Sequence, residues 1–356
     1  MSPAGAGAGD GAGADRGARP GVRLLAALAA VGGLLGGAAA LLAFGADQLW
    51  FCDTLAAFRL QLAAGTTLAA LTLLVLGRRR VGLLVAVLAA VAWAPVAPLW
   101  WAADGGASAG DAPGASGSTM PVLRLTTFNQ KVGNRRVDEA AEVLRQRPAD
   151  LVLLQEAERP LVEALTGDGA PYRVLVEAFR EVAVTSAALL VRRDLPGTLE
   201  VLDAGLLERD GLWDLPSPWV RLRLDGDPLT ILGLRAPPPR GPEESTRARA
   251  AVDTAVAWWA VKPDSDTLVV LGDLNATPWN RTHRRLRAAL GLEDSSRGNG
   301  YQPTFPAARR RHLPLRIPID HCLHDPALVT RERTLLPGVT GSDHAPLHVV
   351  LGWRDG

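Results

Sequence analysis

The sequence predicts an α/β domain, two β-sheets packed face to face with helices on their outer sides, behind an apolar N-terminal third. Three observations lead there. The hydrophobic fraction of the 356-residue chain, 48%, is ordinary for a soluble protein but unevenly distributed. Before residue 104 the chain is mostly Ala, Leu, Gly and Val, and from about 120 its composition is mixed. Beyond residue 121, short β-rich runs alternate with amphipathic helical patterns, as in sheets covered by helices.

The N-terminal part reads as a membrane module. Residues 1–20 are Gly/Ala-rich and lack the large apolar side chains of a core, so a disordered tail is expected. Three apolar stretches follow at about 22–44, 54–76 and 81–102, making residues 21–102 a module of three transmembrane helices. Each is close to the roughly 20 residues that cross a hydrocarbon layer of about 30 Å. Arg16, Arg19 and Arg23 precede the first stretch and Arg78, Arg79 and Arg80 follow the second, whereas Asp47 and Asp53 lie between the first two. The positive-inside rule then places the tail in the cytoplasm and everything after the third stretch outside the plasma membrane. Trp50, Phe51, Trp100 and Trp101 would lie at the outer interface. A cleaved signal peptide competes for the first stretch, but its apolar run exceeds the usual 7–15 residues. Gly32, Gly33, Gly36 and Gly37 form small-xxx-small pairs that allow close helix packing, including between copies of the chain. Residues 103–120 read as a flexible Gly/Ser/Ala linker reaching roughly 20–25 Å.

From residue 120 onward, 31 Lys and Arg balance 31 Asp and Glu. That neutrality argues against a broad basic surface for nucleic acid. Two cysteines, Cys52 and Cys322, exclude a disulfide framework and a cysteine-based zinc site. Strands are expected at 122–128, 151–154, 172–176, 187–191, 219–224, 230–234, 267–271, 316–323 and 347–351, and helices at 135–147 and about 243–261. The continuous apolar run Leu151–Leu154 fits a strand buried on both faces.

Polar clusters follow or interrupt these apolar runs. Asn129 follows Phe128, Gln155-Glu156 follows Leu154, and Gly272-Asp273-Leu274-Asn275 follows Leu271. Asp320-His321 follows Ile319, and Ser342-Asp343-His344 precedes the last strand. Singly, each is unremarkable, because Asp and Asn in turns commonly bond their own backbone. In order, and above all through the run Gly272-Asp273-Leu274-Asn275-Ala276-Thr277-Pro278-Trp279 and the closing Ser342-Asp343-His344, they resemble the endonuclease/exonuclease/phosphatase superfamily over residues 121–353. The resemblance implies a four-layered α/β sandwich and a divalent-metal-dependent hydrolase of phosphoester bonds.

It also implies roles. Glu156 would be the principal ligand of Mg²⁺ or Mn²⁺, with Asn129 beside it and Asp343 as a further ligand. Asp273 would orient and deprotonate water, Asn275 would donate to phosphoryl oxygens, and His344 would act on the phosphate while Asp320 fixes its ring. Many family members carry a His where this chain has Arg235, in Leu234-Arg235-Ala236-Pro237-Pro238. Arg cannot act as a general acid near neutral pH but can hold phosphate bidentately. The expected function is therefore a membrane-anchored phosphoesterase, nuclease-like by motif. A phospholipid or headgroup phosphodiesterase, or a weakened domain serving as a displayed binding module, are the alternatives. His321-x-x-His324 and His344-x-x-x-His348 have zinc-like spacing but lack a third His or a Cys. The Arg clusters 284–287 and 309–311 fit either solvated faces or contact with a polyanion.

Overall fold

A computed structural model describes residues 19–101, 122–181, 183–207, 215–262, 266–307, 314–338 and 340–354. Residues 1–18 of the expected 1–20 tail, the expected linker and the Arg309–Arg311 cluster lie outside the described residues, and Pro20 already belongs to the first helix. The chain divides into two compact units, one of residues 1–42 and 59–94, the other of residues 43–58 and 95–356.

The first unit contains three helices, α1 (Pro20–Leu42), α3 (Arg59–Val75) and α4 (Arg79–Trp93). The expectation of three full spans is not supported. Among the described residues, one helix, Pro20–Gly45, is long and apolar enough to cross a membrane, counting the short turn that extends α1. The second stretch is broken between α2 (Trp50–Ala56), which belongs to the second unit, and α3, and only together do they reach the required length. The third ends at Trp93, before Pro95 and Pro98, leaving 15 residues. At 1.5 Å per residue, α4 extends about 22 Å, short of a hydrocarbon layer. The glycines of α1 are used inside this unit. A Cβ on Gly33 or Gly37 would come within 2.7 Å of Val85 or 2.5 Å of Leu88 on α4, and one on Gly36 within 2.9 Å of Thr66 on α3. These small residues let the helices of one chain approach closely.

The second unit holds a sandwich of two six-stranded sheets. One has the order β11 (Leu328–Leu335), β12 (Leu347–Trp353), β1 (Val122–Asn129), β2 (Leu151–Gln155), β4 (Ala187–Arg192), β3 (Tyr172–Ala178). The other runs β5 (Leu199–Leu207), β6 (Ser217–Leu224), β7 (Asp227–Gly233), β8 (Thr267–Asp273), β10 (Asp320–His324), β9 (Glu293–Asp294). Each sheet has one parallel pair at its centre, β1–β2 and β7–β8, and antiparallel partners outside it.

The alternation of side chains assigns the layers. Leu123, Leu125, Leu151 and Leu153 meet Leu222, Ile231, Val269 and Leu271 between the sheets. The opposite face of the first sheet, with Phe128, Val152 and Leu154, is covered by α5 (Val137–Gln146) and α6 (Arg159–Thr166). That of the second, with Leu232, Leu268 and Val270, is covered by α7 (Pro242–Trp259) and α8 (Arg281–Leu290). The β1, β2 and β8 strands are buried on both faces because each lies between a core and a helix layer, which is why Leu151–Leu154 is uniformly apolar. The result is the expected four-layered α/β sandwich.

Candidate active site

The site forms where the central strands end. In open α/β sheets the chain leaves each parallel strand at its C-terminal end, and the loops there converge on a crevice. β1 ends at Asn129 and β2 at Gln155, which are register partners. β8 ends at Asp273, and its partner across the antiparallel ladder is Asp320, the first residue of β10.

Gly272 permits the close approach of these ends. Its φ is +142°, and a Cβ there would be 2.2 Å from the Leu234 carbonyl oxygen and 2.7 Å from Gln155 Nε2. Through this gap Gln155 crosses from the other sheet, donating to Leu234 O at 3.1 Å and accepting from the Asp273 amide at 2.7 Å. Glu156 and Asn275 adopt left-handed backbone conformations, φ 51° and 47°. Such conformations cost non-glycine residues about 1 kcal/mol and concentrate at functional sites. At Asn275 the turn is held by its own amide, which donates to Asp273 Oδ1 at 2.8 Å.

Two like charges opposite one another on a ladder repel, and His344 resolves the conflict. Its Nδ1 lies 2.9 Å from Asp320 Oδ2, and Asp273, Asp320 and His344 form one buried cluster whose ligand atoms lie within 4.8 Å. Burial alone would lower the His344 pKa, but the Asp320 carboxylate and its hydrogen bond, helped by Asp273 and Asp343, raise it to about 9. Burial works to raise Asp320 as well, yet the imidazolium of His344 and the hydrogen bonds from His344 and Thr304 hold it below the usual carboxylate range. Asp273 moves the other way: burial dominates and raises it, against His344 and Arg235. The loop carrying His344 is fixed by Ser342, whose hydroxyl donates to Asn129 O at 2.7 Å and accepts from His344 N at 2.9 Å.

Glu156, Arg235, Asp273, Asn275, Asp343 and His344 all line one cavity of about 910 Å³. Arg235 bonds Glu156 Oε1 and the Val184 carbonyl, and its Nε lies 3.5 Å from Asp273 Oδ2. Asn129 is buried behind them and presents its amide nitrogen, 3.1 Å from both Glu156 Oε1 and Asp273 Oδ2, while its oxygen accepts from Lys131 N. In that orientation it is a donor to carboxylates, and flipping the amide would turn its oxygen inward. Asn275 Nδ2 donates to Ala236 O at 2.9 Å and to Asp273 Oδ2 at 3.1 Å. Asp343 sits at the rim, 40% exposed, with Lys131 Nζ at 3.5 Å.

Sequence reasoning missed the positioning residues. Gln155 and Ser342 were visible only as neighbours of Glu156 and His344. Asp53, read as a loop charge between apolar helices, accepts from Arg281 N at 2.7 Å and Asn280 Nδ2 at 3.0 Å at the start of α8. No local pattern joins residues 228 positions apart. His283, Asp294 and His321 form a second buried cluster, with His283 Nε2 3.0 Å from Asp294 Oδ2.

A two-sheet sandwich that gathers carboxylates, amides, a guanidinium and an imidazole in one crevice defines a phosphoester hydrolase. The model of the endonuclease/exonuclease/phosphatase family matches residues 126–344, and the chain belongs to that family. Its fold is shared by an endonuclease/exonuclease/phosphatase from Bacteroides vulgatus (18% identity, 65% of this chain and 99% of that one, TM-score 0.53). It is also shared by D. rerio TDP2 humanized by 14 mutations (14% identity, 65% and 99%, TM-score 0.51). A third such structure is the Bacteroides thetaiotaomicron mannosyl-6-phosphatase (14% identity, 65% and 100%, TM-score 0.50). No curated protein sequence matches the chain.

Proposed function

We propose that this protein is a membrane-anchored, divalent-metal-dependent phosphoesterase whose catalytic site faces the extracytoplasmic side. The observation that carries the reading is the convergence of Glu156, Arg235, Asp273, Asn275, Asp343 and His344 on one cavity. The donor set suits a hard cation. Glu156 is only 14% exposed and takes its countercharge from a guanidinium, and the carboxylates of Asp273 and Asp343 line the same cavity. Glu156 and Asp343, with Asn129 after an amide flip, would hold Mg²⁺ or Mn²⁺. Such a cation, when bound, polarises a phosphoryl oxygen as a Lewis acid.

The chain's own groups supply the rest. Arg235 Nε, 3.5 Å from Asp273 Oδ2 and without a hydrogen bond, would donate to a phosphoryl oxygen once the guanidinium turns from the carboxylate. Asp273, raised by burial, is a stronger proton acceptor for an attacking water than an exposed Asp. Asn275, once its amide leaves Ala236 O, donates to the phosphoryl group as charge develops. Asp320 occupies His344 Nδ1 and so directs Nε2 toward the substrate. Arg16, Arg19 and Arg23 before and at the start of the long apolar helix, and Asp47 after it, support the orientation.

The full-length protein in detergent should hydrolyse bis(4-nitrophenyl) phosphate only with Mg²⁺ or Mn²⁺ present. Glu156→Gln should lower kcat/KM by roughly 10²–10³-fold. Absence of hydrolysis with either cation would falsify the enzymatic reading.

A further inference from the structure

The catalytic cavity is much larger than a phosphate requires, and part of its wall is not built by the sandwich. Trp50, Thr54, Ala57 and Phe58, from α2 and the turn after it, line it together with Asp273 and His344. This segment is built into the domain. Asp53 is buried and binds the first amide of α8 and the side chain of Asn280, and Asp47 pairs with Arg284 at 2.8 Å. Asn280 in turn closes the loop after Asn275, its Oδ1 accepting from Thr277 N at 2.7 Å. The wall therefore has a fixed relation to the catalytic loop.

The chemistry of the cavity is mixed. Besides Glu156, Arg235, Asp273, Asp343 and His344 its lining includes Lys131, Arg240 and Arg247, and the α2 segment adds apolar side chains and one hydroxyl. Leu49, Trp50 and Phe51 are 50%, 42% and 42% exposed, an apolar patch continuous with that wall. In the chain, α2 lies between the long apolar helix ending at Gly45 and the apolar helix beginning at Arg59. Aromatic residues at such a junction are those that sit at the boundary of a bilayer. Lys131, Arg240 and Arg247, in the same cavity, suit the anionic head of a molecule anchored there.

We infer that the substrate is a membrane amphiphile, a phosphoester whose head enters the floor beside Asp273 and His344 while its hydrocarbon portion lies along the Trp50–Phe58 wall. The inference rests on the phosphoesterase reading. In the step, a water oxygen forms a bond to phosphorus and the P–O bond to the leaving alcohol breaks. One water proton ends on the leaving oxygen and the other is released, so a diester gives a monoester and an alcohol.

Two soluble diesters that differ only in the tail, hexyl and ethyl 4-nitrophenyl phosphate, test it with the full-length protein in detergent. The wild type should favour the hexyl ester by tenfold or more in kcat/KM. Phe58→Ser, and independently Thr54→Glu, should reduce that preference at least fivefold. Equal rates on the two esters, or a preference unaffected by both substitutions, overturns the inference and leaves the phosphoesterase reading standing. So does a single-stranded oligonucleotide hydrolysed faster than the hexyl ester. Hydrolysis of neither ester, nor of bis(4-nitrophenyl) phosphate, overturns the enzymatic reading itself.

Discussion

At the scale of single residues, Arg235 is the departure with the largest chemical consequence. Its guanidinium bonds Glu156, so on the proposed function Arg and metal would compete for that carboxylate. Arg235→Gln should tighten Mg²⁺ binding several-fold by calorimetry and raise KM for a phosphodiester, because the same side chain is the phosphate clamp. Unchanged Mg²⁺ affinity would show that the ion pair does not compete. The residues of the proposed site stand out at this scale, since Glu156, Asp273, Asn275 and Asp320 follow or interrupt apolar runs and Asp343 and His344 precede one. What a linear reading lacks is direction: that Asn129 points its nitrogen inward, or that Gln155 crosses between the sheets, depends on three-dimensional neighbours.

Among the elements, those buried on both faces were read most accurately, because burial leaves an unbroken apolar run at β2 and β8. β5 and β11 escaped. They are edge strands bearing Glu200, Asp203, Arg331, Glu332 and Arg333, and mixed polarity along a sheet edge resembles a loop. α6 and α8 are short, 8 and 10 residues, and α8 carries four arginines that mask its apolar face. The third apolar stretch misled for the opposite reason: composition continues past Pro95 where the helix does not. Two substitutions probe element joints. Gly272→Ala has no room for its methyl group and should destabilise the domain by several kcal/mol, read by thermal unfolding. Asp53→Ala removes a cap and leaves the Asn280 amide short of a partner, a loss of about 2 kcal/mol. A melting temperature unchanged by Asp53→Ala would mean that α2 contributes nothing to the sandwich.

For the whole molecule, buried imidazoles set an acid limit. Burial, with His283 nearby, lowers the His321 pKa to about 3, and burial with Arg147 and Arg124 lowers that of His348 to about 4. Below pH 6.5 the unfolded chain binds protons at these positions that the folded chain refuses, so stability falls as pH drops toward 4. The slope is up to about 1.4 kcal/mol per pH unit for each imidazole. His344 has the opposite sign. Its stabilisation is complete below pH 6.5 and fades as pH rises toward 9, so it does not mask the acid slope. Urea unfolding at pH 7 and 5 should show the loss, and His348→Gln should remove part of it; equal stability at both values would contradict the assignment.

The capping of α8 by Asp53 has a consequence for how the molecule comes into being. The ribosome makes residues 43–58 long before the sandwich that needs them, and two apolar helices intervene in the chain. N-terminal segments emerge and settle first. The early turn therefore waits as a template, and the catalytic loop closes on it only when the last third of the chain has arrived. Closure of the loop after Asn275 is thereby tied to a carboxylate that is made 227 residues before the asparagine it holds.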